Sequence, residues 1–165
     1  MAKASRTQKA EDSMIPAAKA RPFDLADRYA APTADVTIVD PADLTAKIDT
    51  GLRVRIRSMY SDEAKQAATS ERAKLKLVDG KVDASDAQWE ANLFEQTVAI
   101  TETWWDENGG DEVPAGSIRV AGVNVSCTAD NVRAVYSDPK TAWMQKQVQA
   151  AYLDIGRFFP KPRIS

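Results

Sequence analysis

Residues 52–57, LRVRIR, alternate without a break between aliphatic and cationic side chains: Leu52, Val54 and Ile56 against Arg53, Arg55 and Arg57. Successive side chains on a strand point to opposite faces, so this stretch predicts a strand with one apolar and one cationic face. A helix would scatter both sets around its axis. The three arginines have two readings. Guanidinium forks can grip phosphate or a carboxylate-rich partner, or they can be solvated charges that guard a sheet edge. Upstream, Val36, Ile38 and Val39 predict a second short strand from Asp35 to Asp40. Asp40 as a cap and Pro41 at a first helical position then predict a helical turn.

Helical signals fill most of the chain beyond Arg57. Ser61 caps a predicted helix over 62–76, with Asp62 and Glu63 in the first turn where the dipole favours negative charge. Its apolar residues are mostly alanine, which predicts a surface helix with a thin contact face. Asp79–Gly80 marks a turn, either a small hairpin or a break between helices. Ser85 and Gln88 form a capping box. Beyond them Trp89, Leu93, Phe94, Val98, Ile100, Trp104 and Trp105 recur at three- and four-residue spacings, predicting a helix that runs to Asp106. Neighbours on a helix lie about 100° apart. Trp104 therefore extends the buried line of Trp89, Leu93 and Ile100, while Trp105 joins the flank of Phe94 and Val98 as a partly exposed side chain.

After the glycine-rich loop, Ile118, Val120, Val123 and Val125 predict two short strands about Ala121–Gly122. Thr128 caps a short helix, and Asp138–Pro139 ends it and starts another. That last helix carries Met144, Val148, Ala151, Tyr152, Ile155 and Phe159 on one face and stops at Pro160, with the final residues frayed. The expected fold class is α+β, mainly α-helical, with about four helices, a short antiparallel β-sheet or hairpins, and a disordered N-terminal tail. Residues 1–24 form the expected disordered basic leader, because they hold few large apolar side chains and two prolines. Residues 25–165 form one domain.

Composition narrows the chemistry. There is no histidine, the usual general base and commonest metal ligand near neutral pH. The single cysteine, Cys127, rules out an intramolecular disulfide and predicts a small buried apolar residue. With 22 basic against 24 acidic residues, the net charge of −2 gives no global field for nucleic acid. No apolar run approaches the roughly 18 residues of a membrane span. Asp106, Asn108, Asp111 and Glu112 resemble a calcium loop only in composition, since Gly110, Asp111 and Ser117 stand where a ligand, a glycine and a bidentate carboxylate belong. The glycines form neither a phosphate loop nor a dinucleotide fingerprint. No cofactor or metal is expected, and a small enzyme using carboxylates alone stays open as a third reading.

In order, GLRVRIRSMYSDEAK, LFEQTVAITETWW and CTADNVRAVYSDPKTAWMQKQVQAAYLDIGRFF resemble the short tail assembly chaperones of long-tailed bacteriophages. That pattern places the strand at Leu52 to Arg57, the serine at Ser61, the tryptophan at Trp104 or Trp105, a T-x-x-N segment at Thr128 and Asn131, and a Phe pair at Phe158 and Phe159. It covers residues 36–159. The loop before Thr128 departs from it, being longer and holding the Ile118–Val125 hairpin. The resemblance implies a binding protein, not an enzyme, that keeps the tape measure protein soluble in the host cell cytoplasm and recruits tail tube protein. It also implies that the protein leaves before the virion is mature. A client-binding surface would draw on Trp105, Tyr136, Trp143 and Phe158, each of which can equally be core. Self-association stays open. The alternative is a structural virion protein, a head-tail connector or tail completion subunit.

Overall fold

The structure, a computed structural model, describes residues 29–79 and 81–159. The expected leader at 1–24 and the frayed end after Pro160 lie outside them. Two strands, β1 (Thr33–Val39) and β2 (Asp49–Arg57), form an antiparallel pair. Turns join them where a helical turn was expected. Asp40 and Asp43 accept from the backbone N–H groups of Ala42, Thr45 and Ala46, the local side-chain bonding that favours turns. Helix α1 (Asp62–Ala73) comes next, capped by Ser61, and leads into a hairpin of β3 (Lys76–Val78) and β4 (Lys81–Asp83).

Helix α2 (Asp86–Ile100) has the expected capping box at Ser85 and Gln88. It does not run to Asp106. At Thr101 the chain becomes strand β5 (Thr101–Asp106), which pairs antiparallel with β2. The sheet order is β1-β2-β5, so β2 is its central strand and the edge reading of its arginines fails. The physical reason for the early stop is local and then tertiary. Thr97, Val98, Ile100, Thr101 and Thr103 are β-branched and lose rotamer freedom in a helix. Pairing with β2 gives one side of Thr101–Asp106 its backbone partners, and the Thr101 hydroxyl donates to the Thr97 carbonyl at 2.9 Å, closing the helix end.

Alternation on β5 sends Trp104 inward and Trp105 outward. Val36, Val54 and Trp104 form one rung across the sheet on its covered face, all buried. The expectation of one deep and one shallow tryptophan therefore holds, but on a strand. Trp89, placed by helical spacing on the same buried line, is exposed.

The rest of the chain closes over the covered face. Strands β6 (Ser117–Val120) and β7 (Val123–Ser126) form a hairpin whose turn residues Ala121 and Gly122 have φ of 49° and 81°, the sign of a type I′ turn. Trp104 Nε1 donates to the Val125 carbonyl at 3.0 Å and ties this hairpin to β5. Helix α3 (Ala129–Ser137) begins at its Thr128 cap, and α4 (Ala142–Leu153) packs against α2, α3 and the sheet. A 3-10 turn at Ile155–Phe158 ends the fold, so Phe158 is buried and Ile155 is exposed, the reverse of a helix carried to Pro160.

Two contacts from this last part pin β1. Gln147 on α4 accepts from Val39 N–H at 3.0 Å and donates to Val39 C=O at 2.9 Å. Ala31 N–H donates to the Phe158 carbonyl at 2.6 Å. Among the described residues, four helices with two 3-10 turns make 43% helix and seven strands in three small antiparallel sheets make 27%, so the fold is mixed α+β, which corrects the mainly α-helical expectation.

Candidate functional site

The four aromatic residues expected at a client surface separate. Tyr136 is 2% exposed and Phe158 is 1% exposed, so both belong to the core. The Tyr136 ring meets Trp104 edge to face at 6.5 Å, and its hydroxyl lies 3.0 Å from Thr101 Oγ1. Because Thr101 spends its own proton on Thr97, Tyr136 is the donor in that bond. Burial raises the Tyr136 phenol further above its ordinary range. Trp143 is half-buried against the core, with its indole N–H on the Lys140 carbonyl at 3.0 Å.

Only Trp105 stands on the outer sheet face, opposite Arg53 in register and with the Arg55 guanidinium 5.4 Å from its ring. The arginines around it are already engaged. Arg53 forks onto Asp49, both contacts at 2.7 Å, and reaches Glu107 at 2.6 Å. Arg55 forks onto Asp35 at 2.7 and 3.0 Å. The hydrogen bond from Arg53, with help from the Gly51 N–H, holds the Asp49 carboxyl below its usual value. Arg57 has Glu63 at 3.9 Å. This face is a balanced lattice of charges, so the picture of three arginines waiting for phosphate does not describe it. On the other side of the fold, Arg133 forks onto Glu95 at 3.2 and 2.9 Å and depresses that carboxyl as well.

The open apolar surface lies elsewhere, between α1 and the β3–β4 hairpin. Ala68, Thr69, Arg72 and Ala73 recur at four-residue spacing and form one stripe of α1. Leu77 and Val82 are cross-strand partners on one face of the hairpin, and with Leu75 they complete the lining of a groove of about 480 Å³. Alanine side chains are too short to fill the space between a helix and a hairpin, which leaves the groove open. Leu77 is 69% exposed and Val82 is 39% exposed. A second groove between α2 and α4 is lined by Glu90, Gln145, Lys146 and Gln149 and is far more polar.

The sequence left a small hairpin and a break between helices both open at Asp79–Gly80; β3 and β4 form the hairpin, and the groove beside it was not expected. The signal was present in Leu77 and Val82, apolar residues on strands of three residues, facing a helix with almost nothing to pack against them.

Cys127 is half-buried and desolvation pushes its thiol up to about 11, away from the reactive thiolate. No cluster of three or more Asp, Glu or Cys able to hold a metal ion occurs among the described residues. No helix among them is long and apolar enough to cross a membrane. No family model, curated protein or solved structure matches the chain.

Proposed function

We propose that the chain is a tail assembly chaperone of a long-tailed bacteriophage, a binding protein that shields the amphipathic tape measure protein in the host cytoplasm while tail tube subunits gather. The observation that carries this reading is the open groove between α1 and the β3–β4 hairpin. It presents Leu77, Val82 and Leu75 over an alanine floor, the kind of surface into which an amphipathic helix lays its apolar face. Leu77 and Val82 stand as a cross-strand pair, 69% and 39% exposed among the described residues. The order of sequence motifs, from the Leu52–Arg57 strand through Ser61 and Trp104 to Thr128–Asn131 and Phe158–Phe159, supports the same reading.

The test is co-expression with the tape measure protein encoded nearby, followed by affinity purification and measurement of the soluble client fraction. Co-purification with a gain in soluble client is expected, together with absence of the chain from purified virions. A lack of association, with the chain present in virions at fixed copy number, refutes the chaperone and favours a connector or tail completion subunit.

A further inference from the structure

We infer that the groove between α1 and the β3–β4 hairpin selects an amphipathic helix whose apolar stripe is bordered by a carboxylate, with Arg72 as the specificity-determining residue. This rests on the binding reading above and adds the chemistry of the occupant. Six of the seven lining residues are uncharged, namely Ala68, Thr69, Ala73, Leu75, Leu77 and Val82, and Arg72 is the exception. Every other arginine of the sheet and of α3 already holds a carboxylate: Arg53, Arg55, Arg57 and Arg133. Arg72 takes part in no ion pair among the described residues.

Glu71, next along the helix, is taken by Lys74. Among the described residues Arg72 and Arg157 are both without an ion pair; Arg157 shares its groove with Asp154, whereas Arg72 has no carboxylate in the lining of its own, and one on the incoming segment is its complement. The groove volume lies within the roughly 300–1,000 Å³ of binding clefts. Its α1 wall is a ridge of residues four apart, Ala68–Arg72 and Thr69–Ala73, into which the ridges of a second helix pack.

The experiment uses the full chain and two fluorescein-labelled designed helical peptides of about 18 residues, long enough to form a helix. They share one leucine stripe, and its flank is glutamate in one and lysine in the other. Fluorescence anisotropy gives the two dissociation constants. The wild-type chain is expected to favour the glutamate peptide by about five- to tenfold, a preference that fades in high salt. Arg72→Glu is expected to reverse the order. Leu77→Ser with Val82→Ser is expected to weaken both peptides by at least about tenfold, circular dichroism confirming that each variant is folded.

Equal affinity for both peptides, or a preference unchanged by Arg72→Glu, overturns the inference. So does a rise in peptide affinity on Phe23→Ser with Leu25→Ser, which would make residues 22–28 of the chain itself the occupant. The two readings fail separately. Peptide selectivity without tape measure binding removes the tail assignment and keeps the groove chemistry. Tape measure binding that survives both groove variants keeps the tail assignment and removes the groove.

Discussion

The two adjacent tryptophans give a test of the strand that replaced the expected helix. Trp104 is 0% exposed and donates its indole N–H to Val125, whereas Trp105 lies half-buried under Arg55. A fully buried tryptophan removes up to about 250 Å² from water, which at about 25 cal/mol per Å² is an upper value near 6 kcal/mol. Measured truncations of large aromatics cost about 3–5 kcal/mol. Trp104→Ala is therefore expected to cost about 4 kcal/mol. Trp105→Ala loses part of a half-buried surface and one exposed cation–π contact, together about 1–2 kcal/mol. With a urea slope of about 1.5 kcal/mol per M, the midpoints fall by about 2.7 M and by about 0.7–1.3 M. Should Trp104→Ala not fold, Trp104→Phe and Trp105→Phe are compared instead, and the first is still expected to cost more. Equal losses at both positions, or a larger loss at Trp105, refute the strict in-out alternation.

Three other measurements bear on the interior and the charges. Tyr136→Phe removes only the proton donated to Thr101, and Thr101 keeps its own bond to Thr97, so a loss near 1 kcal/mol by urea unfolding is expected and one above about 3 kcal/mol contradicts the assignment. Glu95 has its pKa lowered in the fold by Arg133, so its stabilisation is complete above the ordinary carboxylate value of 4.5 and is lost as pH falls through the lower folded value. The stability gap between wild type and Glu95→Gln should accordingly shrink below that value, and a gap constant with pH rules the pair out. Cys127, with its thiol near 11, should react with a disulfide reagent at pH 8 about a hundredfold more slowly in the native than in the urea-unfolded chain. Native and unfolded rates within about threefold would show the thiol to be accessible.

Local chemistry was legible in the sequence wherever a few neighbouring residues decide the outcome. Ser61, Ser85 with Gln88, and Thr128 cap the helices they were expected to cap, and the alternation of Leu52–Arg57 gave β2 its buried face. The misreading at Thr101–Asp106 has a non-local cause. Ile100 and Trp104 keep helical spacing, and only pairing with Val54 and Arg53, some fifty positions earlier, turns the segment into a strand. Phe158 replaces Phe159 in the core because the helix stops at Leu153 and a 3-10 turn shifts the phase. Tyr136 was open to either reading, and what buries it is the edge of Trp104, a residue whose own direction depended on the strand. The groove was illegible for a different reason. Sequence periodicity reports which residues want burial, and it is silent where the facing helix is too thin to provide it.

The pinning of β1 has a consequence for the order in which the protein comes into being. Val39 finds the amide of Gln147 at a separation of 108 positions, and Ala31 is held by Phe158. A nascent chain still short of these residues can pair β1 with β2 but leaves the far side of β1 unclosed, an invitation to any extended neighbour. Completion of the first strand is thus deferred until the last helix has left the ribosome. Chains cut short before Gln147 should cling to one another, while the 165-residue chain stays dispersed.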